Sequence, residues 1–252
     1  MGYPLLDPHA YEPEITDIAE LRARRKTRLA LGYRIFGALH WGALGDGHIS
    51  ARDPERLDHF WLARYGAPFH SVTVDDLVLV GPEGTVVEGE GWINQAAHHI
   101  HWPIHEARPD IVSAAHTHTQ YGTPFAALVK PLRPITQESC AFYDDHEIFD
   151  DEEVDVKSTD GGKRIAVALG DAKAVILRNH GTLTVGATVD ECVGWYVMME
   201  RTCEAHMKAP DAIAIGPEAA ADAYQSVGLP QSGWHYFQWL LRTYVSDPSV
   251  VG

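Results

Sequence analysis

The chain has 252 residues, of which 45% are hydrophobic and 22% are charged, and this ordinary globular composition excludes a disordered or fibrous protein. Its 35 acidic and 20 basic residues give a net charge of −15, which disfavours nucleic acid and anionic membranes as partners because phosphate binding needs a basic surface. The three cysteines, Cys140, Cys192 and Cys203, have no disulfide or paired metal-binding spacing. No segment is typical of a membrane span or a signal peptide, so we expect a cytoplasmic protein.

The first half of the chain is predicted to mix helices with short strands. Apolar residues recur at steps of three and four from residue 16 onwards, which favours a long helix. Pro103 falls within a later helical segment and is expected to kink or break it. In chain order, the predicted elements are an extended arm over 1–15, a helix over 16–41, a glycine-rich turn over 42–47, a strand over 48–52, a turn or short helix leading into a strand over 73–80, a strand over 85–89 and a helix over 94–107.

The second half continues in the same manner. Its predicted elements are strands over 111–117, 173–178 and 182–185, helices over 121–129, 161–169 and 188–208, a linker over 209–216, and helices over 217–226 and 233–245. The acidic stretch over 144–155 is interpreted as a solvated surface loop. Because helices and strands are mixed without regular alternation, the sequence predicts an α/β fold with a mixed or antiparallel sheet. We expect a single domain over 1–252, with residues 209–252 as a helical tail.

Histidine is the unusual component of this sequence. The chain has 15 histidines, and six of them fall between residues 98 and 118. His116 and His118 end a predicted strand, where residues two apart face the same side, and His180 follows a second apolar strand. Three imidazoles that leave open positions for water are typical of a catalytic metal site. The sequence therefore predicts one divalent ion per chain on His116, His118 and His180, with Zn, Mn and Fe(II) all compatible.

Four motifs together resemble the class II aldolase/adducin family. They are Gly45–Arg52 (GDGHISAR), Ile93–Ala96 (INQA), Arg108–Asp110 (RPD) followed by Ala115–His118 (AHTH), and Arg178–Gly181 (RNHG). The resemblance covers roughly residues 20–208. It implies a three-layer α/β/α sandwich around a central, largely antiparallel sheet, with the family's metal-binding histidines at His116, His118 and His180. It also implies a homotetramer with active sites near the subunit interfaces.

One departure from the family pattern bears on the reaction. Sugar-phosphate aldolases of this family carry an acid/base glutamate eleven residues before the RPD arginine, and that position is Ala97 here. Gln95 and Ala96 occupy the positions of the two phosphate-binding serines. An alanine cannot transfer a proton, so sugar-phosphate aldol cleavage is disfavoured and the chain resembles the adducin-like branch that lacks this glutamate.

Other side chains are candidates for the missing roles. His98 or His99, adjoining Ala97, is predicted to face the site, and neighbours on a helix point about 100° apart, so only one of the two is expected to do so. Glu138 and Tyr143 are further acid/base candidates, and Tyr121 is a weaker one. The residues predicted to bind or position a carboxylate substrate are Asn94, Gln95 and Arg52, with Arg108 and Arg178 as further possible carboxylate clamps. A helix N-cap role for Asn94 is equally compatible with the sequence.

Three functions are compatible with these observations. The first is a metal-dependent lyase that cleaves a carbon–carbon bond of a small, non-phosphorylated oxo, hydroxy or aromatic acid, because loss of CO₂ needs no prior proton abstraction. The second is a non-heme Fe(II) oxygenase, similar to family members that shorten aromatic 2-oxo acids by oxidative decarboxylation. The third is a non-catalytic, adducin-like assembly module. The complete set of three histidines favours an enzyme over the module.

Overall fold

The computed structural model of the protein describes residue 3 and residues 5–252, so Met1, Gly2 and Pro4 of the predicted arm lie outside the described residues. The α-helices of this part of the chain are α1 (Ile18–Ala38), α2 (Gln95–Ala107), α3 (Gly122–Ala126), α4 (Thr159–Leu169), α5 (Val189–Lys208), α6 (Pro217–Val227) and α7 (Pro230–Tyr244). The strands are β1 (Gly47–Arg52), β2 (Phe60–Ala63), β3 (Leu77–Val80), β4 (Val86–Glu88), β5 (Ser113–Thr117), β6 (Glu147–Phe149), β7 (Ala174–Leu177) and β8 (Gly181–Gly186).

The strands form one mixed sheet of eight strands in the described chain, in the order β4-β3-β2-β1-β5-β8-β7-β6. Neighbouring strands are antiparallel except for the β6–β7 pair at one edge, which is parallel. Helices α1, α5 and α7 pack together on one face, and α2 and α4 pack together on the other. The predicted α/β fold, a three-layer sandwich around a largely antiparallel sheet, is therefore confirmed.

Two hydrophobic cores occupy the two faces of the sheet. On the α1 side, Phe36, Tyr196 and Phe237 are buried together, and on the α2 side Ile104 and Ile165 are buried together. Side chains alternate between these faces along each strand, so β1 directs Ile49 and Ala51 into the first core. The residues between them therefore face α2, which determines the side on which the polar residues of β1 lie.

Several predicted elements need correction. The short strand β2 was not predicted, and the predicted loop over 144–155 is wrong at Glu147–Phe149, which forms the edge strand β6. Helix α2 is not broken at Pro103 but continues to Ala107. Proline has no amide hydrogen for the carbonyl of His99, and α4 presents Gly162 at that carbonyl, where a Cβ atom would collide with the oxygen. The helix that contains Pro103 therefore packs closely on Gly162 of α4.

The described residues near both ends of the chain lie against the α1 side. Tyr3 donates a hydrogen bond to the carbonyl of Val245 at 2.6 Å, and Glu12 accepts hydrogen bonds from Arg24 and from the Trp234 indole. The division into an arm, one domain and a helical tail stays an interpretation.

All three cysteines are buried and free, in agreement with the absence of a disulfide framework. Within the described residues, no helix combines the length and apolarity needed to cross a membrane.

A buried ion pair behind β1 makes stability depend on pH. The Asp53 carboxylate accepts two hydrogen bonds from Arg22, one from the Trp61 indole, and others from the amides of Glu55 and Arg56. Burial alone would raise the pKa of Asp53, but the bonds from Arg22, the Arg56 amide and Trp61 hold that pKa well below its usual range. A lowered pKa stabilises the fold above about pH 4, and this contribution is lost as the pH falls further.

We therefore expect Asp53→Asn to lower the free energy of unfolding by about 2–3 kcal/mol at pH 7. The difference in the free energy of unfolding between the variant and the original chain should shrink at pH 3, because the ionised Asp53 stabilises the fold less at that pH. Urea unfolding at the two pH values measures both quantities. A difference that is the same at pH 7 and pH 3 would contradict this interpretation of the ion pair.

Candidate metal centre and adjoining cleft

Three histidines converge at one end of the central strands. His116 lies on β5, His118 follows the end of that strand, and His180 lies in the turn between β7 and β8. The ring centroids are 4.7 Å apart for His116 and His180, 5.0 Å for His118 and His180, and 5.3 Å for His116 and His118. Each offers a ring nitrogen, and these nitrogens lie within 4.8 Å of one another. The structure thus brings together the three predicted ligands, with a spacing that one metal ion can bridge.

The protonation of this cluster suits metal binding. Nδ1 of His116 lies 2.8 Å from the carbonyl oxygen of Thr182, so a hydrogen on Nδ1 donates to that carbonyl and leaves Nε2 as the free ligand atom. Burial, followed by the neighbouring His180 imidazole, lowers the pKa of His116 well below its usual range. Burial and then His118 lower the pKa of His180 to about 4. Neutral imidazoles are the form that ligates divalent metals, so His116 and His180 fit such an ion.

Backbone geometry in the Arg178–Gly181 motif places His180. Asn179 has a φ of 55°, in the left-handed region that asparagine adopts more readily than most residues. Gly181 has a φ of 151°, and a Cβ atom there would lie 3.4 Å from Cε1 of His116. A side chain at position 181 would therefore be strained and would crowd the cluster. The motif provides the turn that returns the chain towards β8 with His180 beside His116.

A buried carboxylate fixes the segment that follows His118. Glu200 on α5 accepts hydrogen bonds from the Thr119 hydroxyl at 2.6 Å, the Tyr121 amide at 2.9 Å and the Gly122 amide at 2.7 Å. Burial raises the pKa of Glu200, although these three bonds oppose the shift. Glu200 was not predicted from the sequence. No local motif marks it, because it lies 81 residues from the threonine that it binds.

We expect Glu200→Gln to weaken both the fold and metal binding. The amide offers one acceptor oxygen where three donors converge, so the free energy of unfolding should fall by about 1–3 kcal/mol. Metal affinity should fall about tenfold, as is typical when a group that supports a ligand is altered. Titration with Zn²⁺ measures the affinity, and Glu204→Gln, at the half-buried partner of Lys208 on the same helix, is the control. Unchanged Zn²⁺ affinity would show that Glu200 does not orient His118.

A line of buried polar side chains extends from the cluster towards α2. His48 on β1 pairs with His116 in the sheet, and their ring centroids are 5.2 Å apart. Nδ1 of His48 lies 2.8 Å from Nε2 of His101, whose Nδ1 lies 2.7 Å from the Ser50 hydroxyl. That hydroxyl in turn lies 2.8 Å from Nε2 of His105. All four side chains are buried, so this line is a structural extension of the cluster.

A cleft of about 300 Å³ opens beside His48. Two loops form its walls, one over residues 42–47 and the other over residues 64–69, and Asn94 also lines it. The side chains that give it apolar character are Leu44, Leu62, Tyr65 and Phe69. The volume is at the lower end of the range for small-molecule sites, which commonly combine apolar walls with a few polar groups.

The start of α2 lies next to this cleft. Asn94 caps the helix, with its side-chain oxygen accepting from the Ala96 amide at 3.0 Å, and it also lines the cleft. Gln95 is exposed in the first turn. Ala97 is fully buried in an apolar cluster with Phe60 and Val80. The position of the family's acid/base glutamate is therefore an apolar environment in this chain.

The other acid/base candidates do not line the cleft beside His48. Nε2 of His98 is 2.9 Å from the carbonyl of Pro82, and Nδ1 of His99 is 3.2 Å from the carbonyl of Val156. Oε1 of Glu138 lies 3.5 Å from Nη2 of Arg201, and Tyr143 lines a separate surface groove. Within the described chain, the structure brings none of these four candidates into the wall of the cleft beside His48. Their catalytic roles stay predictions.

The arginine candidates are engaged by the protein itself. Arg52 is buried, and it donates to the carbonyl groups of Ile111, Leu57, His105 and Arg108. Arg108 pairs with Asp110, and it also donates to carbonyl groups beyond α4. Arg178 pairs with Asp150 and Glu152 in the acidic stretch. Tyr121, the weaker candidate, packs against the α3–α5 core.

Comparison with known proteins identifies the family. The family model described as "Class II Aldolase and Adducin N-terminal domain" matches residues 27–207. The chain belongs to this family, as the motifs indicated.

Two relatives and one solved structure are especially similar. The chain is 38% identical over 237 residues to the "4-hydroxy-3-prenylphenylpyruvate oxygenase/4-hydroxy-3-prenylbenzoate synthase" of Streptomyces roseochromogenus subsp. oscitans, covering 92% of this chain and 86% of the relative. It is 39% identical over 236 residues to "Decarboxylase NovR" of Streptomyces niveus, covering 92% and 87%. The structure of "L-fuculose 1-phosphate aldolase from Glaciozyma antarctica PI12" superposes with a TM-score of 0.85 and 38% identity, covering 92% of this chain and 94% of that one.

Proposed function

We propose that this protein is a divalent-metal-dependent enzyme that releases CO₂ from a small, non-phosphorylated oxo, hydroxy or aromatic acid. One observation carries the proposal: an open cluster of three imidazoles accompanies an alanine where aldolases of the family have their acid/base glutamate. His116, His118 and His180 would hold the ion, and zinc, manganese and ferrous iron all accept such ligands. When bound, the ion would act as a Lewis acid that stabilises negative charge on a substrate oxygen.

Decarboxylation is compatible with an apolar residue at position 97. The bond between the carboxylate carbon and its neighbour breaks, the electron pair stays on the neighbouring carbon, and a proton then replaces CO₂ there. No group has to remove a proton before the bond breaks, so the absence of the glutamate does not prevent this reaction. The apolar walls of the cleft beside His48 suit a flat, apolar substrate body better than a sugar phosphate. The name of the Streptomyces niveus relative supports the same reaction class.

A second candidate is oxidative decarboxylation by an Fe(II) enzyme. The oxygenase name of the Streptomyces roseochromogenus relative favours it. This reaction consumes O₂ as the oxidant, whereas simple decarboxylation consumes none. The two candidates therefore differ in a quantity that can be measured directly, as well as in the metal that they require.

The test is CO₂ release from a panel of aromatic 2-oxo, 2-hydroxy and benzoic acids, with and without O₂. Protein loaded with Zn²⁺, Mn²⁺ or Fe²⁺ should release CO₂, and chelated protein should not. Release that persists without O₂ supports the lyase, and release that needs both Fe²⁺ and O₂ supports the oxygenase. If metal binds but no acid is turned over in any condition, the adducin-like assembly module replaces the enzyme.

His98 and His99 stay our proposed proton donors, with Glu138 and Tyr143 next. We expect either His98→Ala or His99→Ala, but not both, to lower the rate of CO₂ release at least about tenfold, because general acid catalysis contributes about that much or more. Steady-state assays of the two variants decide the matter. Two variants with unchanged rates would remove both histidines and leave Glu138 and Tyr143.

We also propose that Asn94, Gln95 and Arg52 take part in substrate binding and that the chain assembles as a homotetramer. Asn94 has the strongest support of the three residues, since it lines the cleft. Arg52 has the least support, because its donors are engaged by carbonyl groups. Light scattering after size-exclusion chromatography gives the oligomeric state, and a monomer would contradict the tetramer.

A further inference from the structure

We propose that His48 is a substrate-positioning residue. Its Nε2–H donates a hydrogen bond to a carboxylate or oxo oxygen of the substrate in the cleft, and the line through His101, Ser50 and His105 keeps His48 in the tautomer that can donate. This inference rests on the proposed function, because it assigns the place where the acid binds. It concerns a residue outside the three metal ligands.

The far end of the line sets the direction of the hydrogen bonds. Nδ1 of His105 is buried and has no partner among the described residues. A buried N–H without an acceptor is rarer and more costly than an unpaired acceptor, so the hydrogen of His105 lies on Nε2 and donates to the Ser50 hydroxyl. The hydroxyl has one hydrogen, which then donates to Nδ1 of His101.

The next hydrogen bond in the line reaches His48. Because Nδ1 of His101 accepts, its hydrogen lies on Nε2 and donates to Nδ1 of His48. The hydrogen of a neutral His48 therefore lies on Nε2. Within the described chain, Nε2 of His48 has no hydrogen-bond partner and is not among the enclosed, unpaired atoms, while the residue lines the cleft. A residue with a fixed donor thus lines the cleft.

The surroundings of His48 indicate what it would bind. His48 and Asn94 are polar groups that line the cleft, and Leu44, Leu62 and Tyr65 belong to its apolar walls. The Arg64 guanidinium, which also lines the cleft, is already paired with Asp76 at 2.6 Å. A flat, apolar body with an acidic oxygen at one end matches this distribution. The apolar part would lie between the two loops, with its oxygen towards His48.

The opposite tautomer would give His48 a different role. If Nδ1 of His48 carried the hydrogen, Nε2 would present a lone pair, and His48 could become a fourth metal ligand next to His116. The ring centroids of His48 and His116 are 5.2 Å apart, close to the spacing within the cluster. A metal site closed by a fourth protein ligand is typical of a structural role. The two tautomers therefore separate a positioning residue from a ligand.

The first test reads the tautomer without any turnover. Protein with ¹⁵N-labelled histidine is examined at neutral pH by long-range ¹H–¹⁵N correlation, before and after Zn²⁺ is added, and His48→Asn identifies the signals of His48. We expect the pattern of an Nε2–H tautomer that persists with Zn²⁺. The pattern of an Nδ1–H tautomer, or a His48 nitrogen that shifts as a Zn²⁺ ligand, would overturn the proposal.

The second test measures binding of benzoate and phenylpyruvate to the Zn²⁺-loaded protein by calorimetry. We expect His48→Ala to weaken binding at least about tenfold, the loss typical of a hydrogen bond to a charged group, and His48→Gln to restore part of it through its amide N–H. His9→Asn, an exposed histidine in the arm, is the control. Equal affinity of the original chain and His48→Ala, or no saturable binding to the original chain, would contradict the proposal.

The third test interrupts the line at a distance from the substrate. Ser50→Ala should leave Zn²⁺ content unchanged, give mixed tautomers at His48 and weaken benzoate binding. If Ser50→Ala does not fold, His105→Phe replaces it, because the His105 ring already stacks on Phe60. Unchanged His48 tautomers in the folded variant would show that the line does not orient His48. These binding results stand even if no acid releases CO₂, so failure of the proposed function is distinguishable from failure of this inference.

Discussion

His118→Ala should remove the bound metal and leave the fold intact. His118 is exposed, so loss of its imidazole creates no cavity in the core, whereas it removes one of only three ligands. Changes to groups that merely support a ligand cost about 10–100-fold in metal affinity, so loss of a ligand should cost more than about 100-fold. Mass spectrometry of protein purified without added metal measures the content, and thermal unfolding of the metal-free proteins measures the fold.

His116→Ala is the informative companion, because His116 is buried against β8 and its truncation should also lower the free energy of unfolding. His9→Ala, in the exposed arm, is the control for loss of a histidine. Full metal occupancy in His118→Ala would show that the ligand set is wrong. If His118→Ala loses its metal because it unfolds, His118 would have a structural role instead of the role of a ligand.

Arg52→Met should destabilise the protein strongly without changing metal content. The guanidinium donates to four carbonyl groups, which tie β1 to the end of α2 and the segment before β5. Methionine fills a similar volume but donates to none of them, and each buried carbonyl left unpaired costs about 1–3 kcal/mol. Partial relaxation of the surrounding structure makes the total smaller than the summed costs of the unpaired carbonyl groups. We therefore expect a loss of about 3 kcal/mol in the free energy of unfolding.

Urea unfolding of Arg52→Met, with the exposed Arg56→Met as control, measures this loss. The same variant tests the substrate-binding role predicted for Arg52. A variant with unchanged stability and weakened binding of benzoate would show that Arg52 is a substrate clamp. Reduced stability with unchanged benzoate affinity would show that it supports the structure around His105.

Local sequence patterns predicted most of the elements but missed the short strands β2 and β6. Helices α1 and α5 and strands β1 and β5 have clear periodicity or apolar runs, and each was predicted within a few residues. Strand β6 is three residues long within an acidic stretch, and it depends on pairing with β7 rather than on its own composition. Pro103 was interpreted from its local effect, whereas the helix continues through it and packs closely on Gly162 of α4, far along the chain.

The metal cluster could be predicted because its residues occupy recognisable motifs at strand ends. The buried line behind it could not be assembled, although the alternation of His48 and Ser50 on a strand and the spacing of His101 and His105 on a helix placed each pair on one face. Only the packing of α2 on β1 brings the two pairs together, and the pairing of β1 with β5 places His48 beside His116. Glu200 likewise depends on tertiary contacts alone.

Anomalous diffraction at the absorption edge of the bound metal is the most direct test of the proposed centre. Crystals of the protein purified without added metal, and crystals supplied with Zn²⁺, Mn²⁺ or Fe²⁺, would be compared. We predict one strong peak per chain, within bonding distance of ring nitrogens of His116, His118 and His180, with His48 outside that distance. A peak at other residues, or no peak in any of the crystals, would contradict the metal centre on which the proposed reaction depends.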